Sequence, residues 1–137
     1  MSKDAVNKVV ARFADGRVLK GSTADFVATR ETFHVAVANA PPGAKPVAVQ
    51  LQDLKAVFFV KDLVGQPQHQ ARQDFDPRHP VVGRKIKVTF KDGEVLVGTT
   101  QGYQPGRKAF FLVPADRESN TERCFVIAAA AQNISFL

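Results

Sequence analysis

In "KIKVTF", residues 85–90, Ile86, Val88 and Phe90 alternate with Lys85, Lys87 and Thr89, the two-residue period of a strand with one buried face. "KVVARF", residues 8–13, sets Val9, Ala11 and Phe13 against Lys8, Val10 and Arg12, and the second alternation is the cleaner of the two. Each run leads into an Asp-Gly pair, Asp15-Gly16 and Asp92-Gly93, which predicts a two-residue hairpin because glycine takes positive φ without steric cost. The strands that follow carry Gly21 and Gly98 in mid-strand, where a sharp bend or a close second backbone is expected. A third strand is expected at Thr32 to Ala38 and at Ala109 to Pro114, and a fourth at Pro46 to Leu51 and at Arg123 to Ala128. After at most one helical turn in "LQDL" and "AAAA", a fifth follows at Ala56 to Val60 and at Asn133 to Leu137.

These elements come in pairs because the chain repeats itself. With a constant offset of 77 residues, Phe13, Asp15, Gly16, Val18, Leu19, Gly21, Thr23, Arg30, Phe33, Val49 and Phe59 all recur, and the register holds from Lys8/Lys85 to Val60/Leu137 without a gap. The 137 residues therefore read as two copies of one unit of about 53 residues. Residues 1–60 form the first, residues 81–137 the second, and residues 61–80, "KDLVGQPQHQARQDFDPRHP", break the periodicity as a connector. The expected fold is all-β, two tandem five-stranded small barrels built from an internal repeat.

The stretches "VVARFADGRVLKGSTADF" and "IKVTFKDGEVLVGTTQGY", with five short strands and a single turn between the last two, resemble the first motif of Sm-like (Lsm/Hfq-type) small barrels. Other barrels of the Src-homology-3 type share the same physics. The Sm-like resemblance implies RNA binding through an Asx residue in the loop after strand two and an Arg-Gly-type pair between strands four and five. Here "FVATRETF" and "YQPGRKAF" hold no asparagine, and "LQDL" and "AAAA" hold neither arginine nor glycine, so both nucleotide signatures are missing. Only seven residues precede the first repeat, which leaves little room for that family's N-terminal helix. The chain, above all "FFLVPADRESNTERCFV", is also similar to an uncharacterised bacterial family.

Charge changes the picture only slightly. Nineteen basic and thirteen acidic residues give +6, which favours phosphate-rich partners, but the excess is shared: seven basic against four acidic between residues 8 and 60, and eight against five between residues 81 and 137. One cysteine, Cys124, excludes an internal disulfide framework and a Cys-rich zinc site. No run reaches the roughly 20 apolar residues of a membrane span and "MSKDAVNKVVARF" lacks a secretory apolar stretch, so a cytoplasmic, non-membrane protein is expected.

The candidate partner-binding residues are Arg30, Tyr103, Arg107 and Lys108: Arg30 and Arg107 share a repeat position, and an arginine near an aromatic ring can stack and contact phosphate. The competing reading makes Phe26 and Tyr103 inward-facing residues and the arginines solvated charges. His69, Asp74, Asp76 and His79 match no metal spacing, His34 is expected to point outward, and Cys124 aligns with Val47 as a small packing position. Asp116, Glu118 and Glu122 sit in a polar loop where charges are expected. With no nucleophile elbow, phosphate loop or dinucleotide fingerprint, no catalytic residue, metal or cofactor is expected, and the protein is read as non-enzymatic. "AVFFV" and "ISFL" are apolar enough to need cover, which points to contact between the units or a homodimer. The leading expectation is a protein interaction or adaptor module pairing through a strand edge, and the alternative is weak, sequence-tolerant RNA or DNA binding through basic loops.

Overall fold

The structure is a computed structural model, and it describes residues 6–63, 75, 83–116 and 119–137. Ten strands follow in chain order: β1 (Asn7–Phe13), β2 (Val18–Thr23), β3 (Thr32–Val37), β4 (Val47–Gln50), β5 (Leu54–Val60), β6 (Arg84–Phe90), β7 (Val95–Thr100), β8 (Ala109–Pro114), β9 (Thr121–Ile127) and β10 (Ala131–Phe136). The expected helical turns are single 3-10 turns at Leu51–Asp53 and Ala128–Ala130. Most of the expected connector lies outside the described residues.

The Asp-Gly hairpins differ from the two-residue form. Phe13 N–H bonds the Arg17 carbonyl (2.9 Å) and Gly16 N–H bonds the Phe13 carbonyl (3.0 Å), so three residues, 14–16, make the loop. Only Gly16 has positive φ (+99°), which suits a turn closed by one left-handed residue and not the two-residue turn that needs two. Asp15 contributes through its side chain, which accepts the Arg17 N–H (3.0 Å). The Phe90–Glu94 turn repeats this, with Gly93 at +96° and Asp92 accepting the Glu94 N–H (3.0 Å).

All ten strands are antiparallel and lie in one continuous sheet, ordered β10-β6-β7-β8-β9-β5-β1-β2-β3-β4. The first half, β5-β1-β2-β3-β4, has the same order as the second, β10-β6-β7-β8-β9. Two separate barrels were expected; what joins the halves into one sheet is β5 pairing with β9, with Val57 opposite Phe125 and Phe58 opposite Cys124.

That pair is a wall with both faces buried, and all seven residues of β5 are buried. Val57 and Phe59 of β5, with Phe125 and Ile127 of β9, enter one core beside Val9, Ala11, Phe33, Val35 and Val49. The alternating residues Ala56, Phe58 and Val60, with Cys124 and Val126, enter the other beside Ile86, Val88, Phe90, Phe110 and Leu112. Val10, which blurs the alternation of the first strand, belongs to this second core. Its repeat counterpart is the exposed Lys87, and those of Ala56 and Phe58 are Asn133 and Ser135 on β10. One face of the first half is therefore apolar because the second half covers it.

The mid-strand glycines sit where β3 and β8 cross close behind them. A Cβ on Gly21 would lie 2.1 Å from the Ala36 carbonyl oxygen, and one on Gly98 would lie 2.1 Å from that of Val113. These are main-chain atoms that cannot swing aside, so Gly98→Ala is expected to cost at least ~1–3 kcal/mol in urea denaturation. Gly102→Ala, whose Cβ would meet only the flexible Arg107 side chain, serves as the control near zero. Phe58→Ala is expected to cost ~3–5 kcal/mol, while Ser135→Ala at the equivalent place stays within about 0.5 kcal/mol.

Candidate interaction edge

β10 occupies in the second half the place that β5 occupies in the first, at the outer side of the strand that opens the unit. Among the described residues β5 has a strand on both sides, whereas β10 pairs with β6 alone. Leu137 N–H bonds the Lys85 carbonyl (3.0 Å), so antiparallel alternation turns the main chain of Ser135 toward β6 and presents the N–H and C=O groups of Ile134 and Phe136 to the open side. The strand "AQNISF" holds neither proline nor charge, the usual devices that block an edge. The opposite edge, β4, is only four residues long and follows Pro41, Pro42, Lys45 and Pro46.

An aromatic group lies under each of the two equivalent strands. In the first half Phe26 meets Phe33 (5.1 Å between ring centroids) and Phe59 (5.2 Å), and β8 and β9 then close over it with Phe111 (6.3 Å) and Phe125 (5.2 Å). The second half repeats the base of this group, with Tyr103 against Phe110 (4.7 Å) and Phe136 (5.8 Å). The repeat counterparts of the two covering rings are His34 and Ala48, which belong to the first half. Ile134 and Phe136 accordingly remain half-buried where their counterparts Val57 and Phe59 are buried, while Tyr103 is half-buried as Phe26 is.

The structure places the sequence candidates as follows. Tyr103 packs inward on Phe110 and Phe136 at the β10 edge. Arg107 is exposed and its guanidinium donates to the Gly102 carbonyl, fixing the loop that carries Tyr103. Arg30 and Lys108 are exposed; the Arg30 N–H bonds the Val27 carbonyl (3.0 Å), and the Lys108 carbonyl accepts the Ala128 N–H (2.9 Å). In the first half the corresponding loop is fixed instead by Asp25, which accepts from the His34 N–H (2.9 Å) and the Thr23 hydroxyl (3.1 Å) and contacts His34 Nδ1 (2.7 Å). The His34 N–H holds the Asp25 carboxyl below its ordinary value against the opposing effect of desolvation, and His34 does point outward.

Two groups at the junction escaped the sequence reading. Lys55, whose side chain is 8% exposed, crosses from the first half to Asp92 (2.7 Å) and Glu94 in the second, over the Phe90 ring (4.7 Å). Burial pulls its ammonium down, but the hydrogen bonds and charges of Asp92 and Glu94 outweigh that and hold it above its ordinary value. The Lys55 bond and the Glu94 N–H hold Asp92 below 3.8. A cavity of about 300 Å³ also opens between the halves, lined by Val10, Arg12, Lys20, Phe58, Leu96 and Asn120. Cys124 borders this cavity, fully buried, and burial pushes its thiol far above the ordinary value, so it carries no reactive thiolate.

Among the described residues no three His, Cys, Asp or Glu side chains cluster to hold a metal ion. His69, Asp74, Asp76, His79 and Glu118 lie outside the described residues, while Asp116 is buried and Glu122 exposed. No helix among the described residues is long and apolar enough to cross a membrane.

A carboxylate with a depressed folded pKa stabilises above its unfolded value and loses that contribution as pH falls through the folded one. Asp92 therefore gives the protein an acid limb below pH 3.8, and the raised Lys55 loses its contribution only on the alkaline side, above 10.5. Lys55→Gln, which installs the residue found at its repeat counterpart Gln132, is expected to make that acid limb shallower in pH-resolved denaturation. Its cost near neutrality is about 1 kcal/mol or less, because both carboxylates can rehydrate. Cys124 is expected to resist iodoacetamide in the native state and to react at the rate at which β9 opens.

No curated protein and no solved structure matches the chain. The model of a family of unknown function, DUF6982, matches residues 5–137, and the chain belongs to that family.

Proposed function

We propose that this protein is a non-enzymatic interaction or adaptor module, built from two small barrels of the Sm-like type, that docks an extended protein segment along the edge of β10. One observation carries the reading: the chain already joins its own halves by strand addition at β5, and the equivalent strand β10 has no second neighbour among the described residues. The repeated strand order, with strand five beside strand one, supports the Sm-like description. Main-chain pairing supplies the affinity in such docking, and side chains on alternate positions supply the selectivity. The protein then serves as a platform whose fixed half holds the other half's edge in place.

A photo-crosslinking residue at Asn133, on β10, tests this in the native cell with Val113 on β8 as the control site. Protein adducts from position 133 that disappear with Ile134→Pro, which removes an outward N–H, are the expected result. Nuclease-sensitive adducts instead, together with oligonucleotide binding that collapses as salt rises and is lost on Arg107→Ala with Lys108→Ala, would establish the nucleic-acid alternative.

A further inference from the structure

Resting on that reading, we infer that the β10 edge takes an extended segment of another protein bearing an aromatic residue, an aliphatic residue two positions later, and acidic residues immediately before and after the aromatic one.

The repeat supplies the template. β9 is the segment that docks on β5, and its residues alternate between the two cores. Phe125, opposite Val57, closes over Phe26 and its ring partners, and Ile127 enters the same core. The counterpart of Val57 on β10 is Ile134, and the counterparts of Phe26 and Phe59 are Tyr103 and Phe136. An occupant aligned as β9 is would set its aromatic residue opposite Ile134, over the half-buried Tyr103 and Phe136. Its aliphatic residue would lie two positions on, opposite Gln132.

The alternate positions differ in chemistry. On β9 they are Cys124 and Val126, which meet Ala56, Phe58 and Val10 in an apolar core. Around β10 the counterparts of those three are Asn133, Ser135 and Lys87, with Lys85 farther along β6, its ammonium over the Phe75 ring (4.9 Å). Apolar side chains would gain little there, and carboxylates would meet ammonium groups.

A second copy of this chain is the first occupant to weigh, because its β4 is the counterpart of β9. It fits poorly. Ala48 and Gln50 stand where Phe125 and Ile127 do the covering. Pro46 stands at the place of Arg123, which pairs opposite Phe59, and so offers no N–H toward Phe136. The outer edges thus lack what would extend the chain's own head-to-tail contact, whereas the Phe136 ring under β10 carries the Arg84 guanidinium (3.5 Å from its centroid) where the first half has the rings of Phe111 and Phe125.

The probe is a labelled synthetic peptide of residues 120–129 carrying Cys124→Glu and Val126→Glu, added to the full chain. Those glutamates prevent it from replacing β9 in the native junction, where both positions are fully buried. The expected result is saturable binding that shifts the amide resonances of Asn133–Phe136, weakens about tenfold or more with Phe125→Ala in the peptide, and weakens with Lys87→Glu in the protein. Lys87 is exposed, so that variant keeps the fold intact. Binding at β10 that ignores both the aromatic residue and the glutamates would overturn this inference and leave edge docking standing. If no extended peptide of any pattern moves the β10 resonances, edge docking itself fails. Concentration-dependent self-association that shifts β4 and β10 together would identify a second copy as the occupant and overturn the inference.

Discussion

The rest of this protein depends on a pair of adjacent strands that are apolar on both faces. A strand at the surface of a sheet can satisfy one hydrophobic face and leave the other wet, but β5 and β9 stand between two cores and must supply alternate side chains to each. This explains the unbroken burial of "LKAVFFV" and the run of buried residues from Cys124 to Ile127. It also explains why neither half completes its core alone. Phe125 and Ile127 belong by sequence to the second half and by packing to the first, while Phe58 and Val60 do the reverse.

Much of this was legible in the sequence because strand patterning and turn chemistry are local. The alternation in "KIKVTF", the Asp-Gly turns and the mid-strand glycines each report a constraint acting within a few residues, and the strand ends fall within two residues of the positions expected from them. The hairpin loops came out one residue longer because a single glycine supplies only one left-handed position. The expected cover for "AVFFV" is present as β9.

The union of the halves into one sheet was written less directly, in the differences between the copies. Val10 against Lys87, Ala56 against Asn133, Phe58 against Ser135, and Phe125 against Ala48 are all apolar in the copy that lies at the junction and small or polar in the copy that does not. Lys55 could not be read this way. Its carboxylate partners lie 37 and 39 residues away, and nothing local distinguishes a lysine that crosses a junction from one that points to water. The partnership of Phe26 with Phe111 was hidden for the same reason, since it depends on how the two halves meet.

Because β5 and β9 belong to one covalent chain, their association is unimolecular. Diluting the protein does not separate the halves, and the connector keeps each at a high effective concentration for the other. A segment docked at β10 as proposed would have no such tether. Under the proposed docking its occupancy would follow the abundance of whatever supplies it, and one duplicated surface would exist in two kinetic classes: a permanent seam and a reversible one registering how much partner the cell contains.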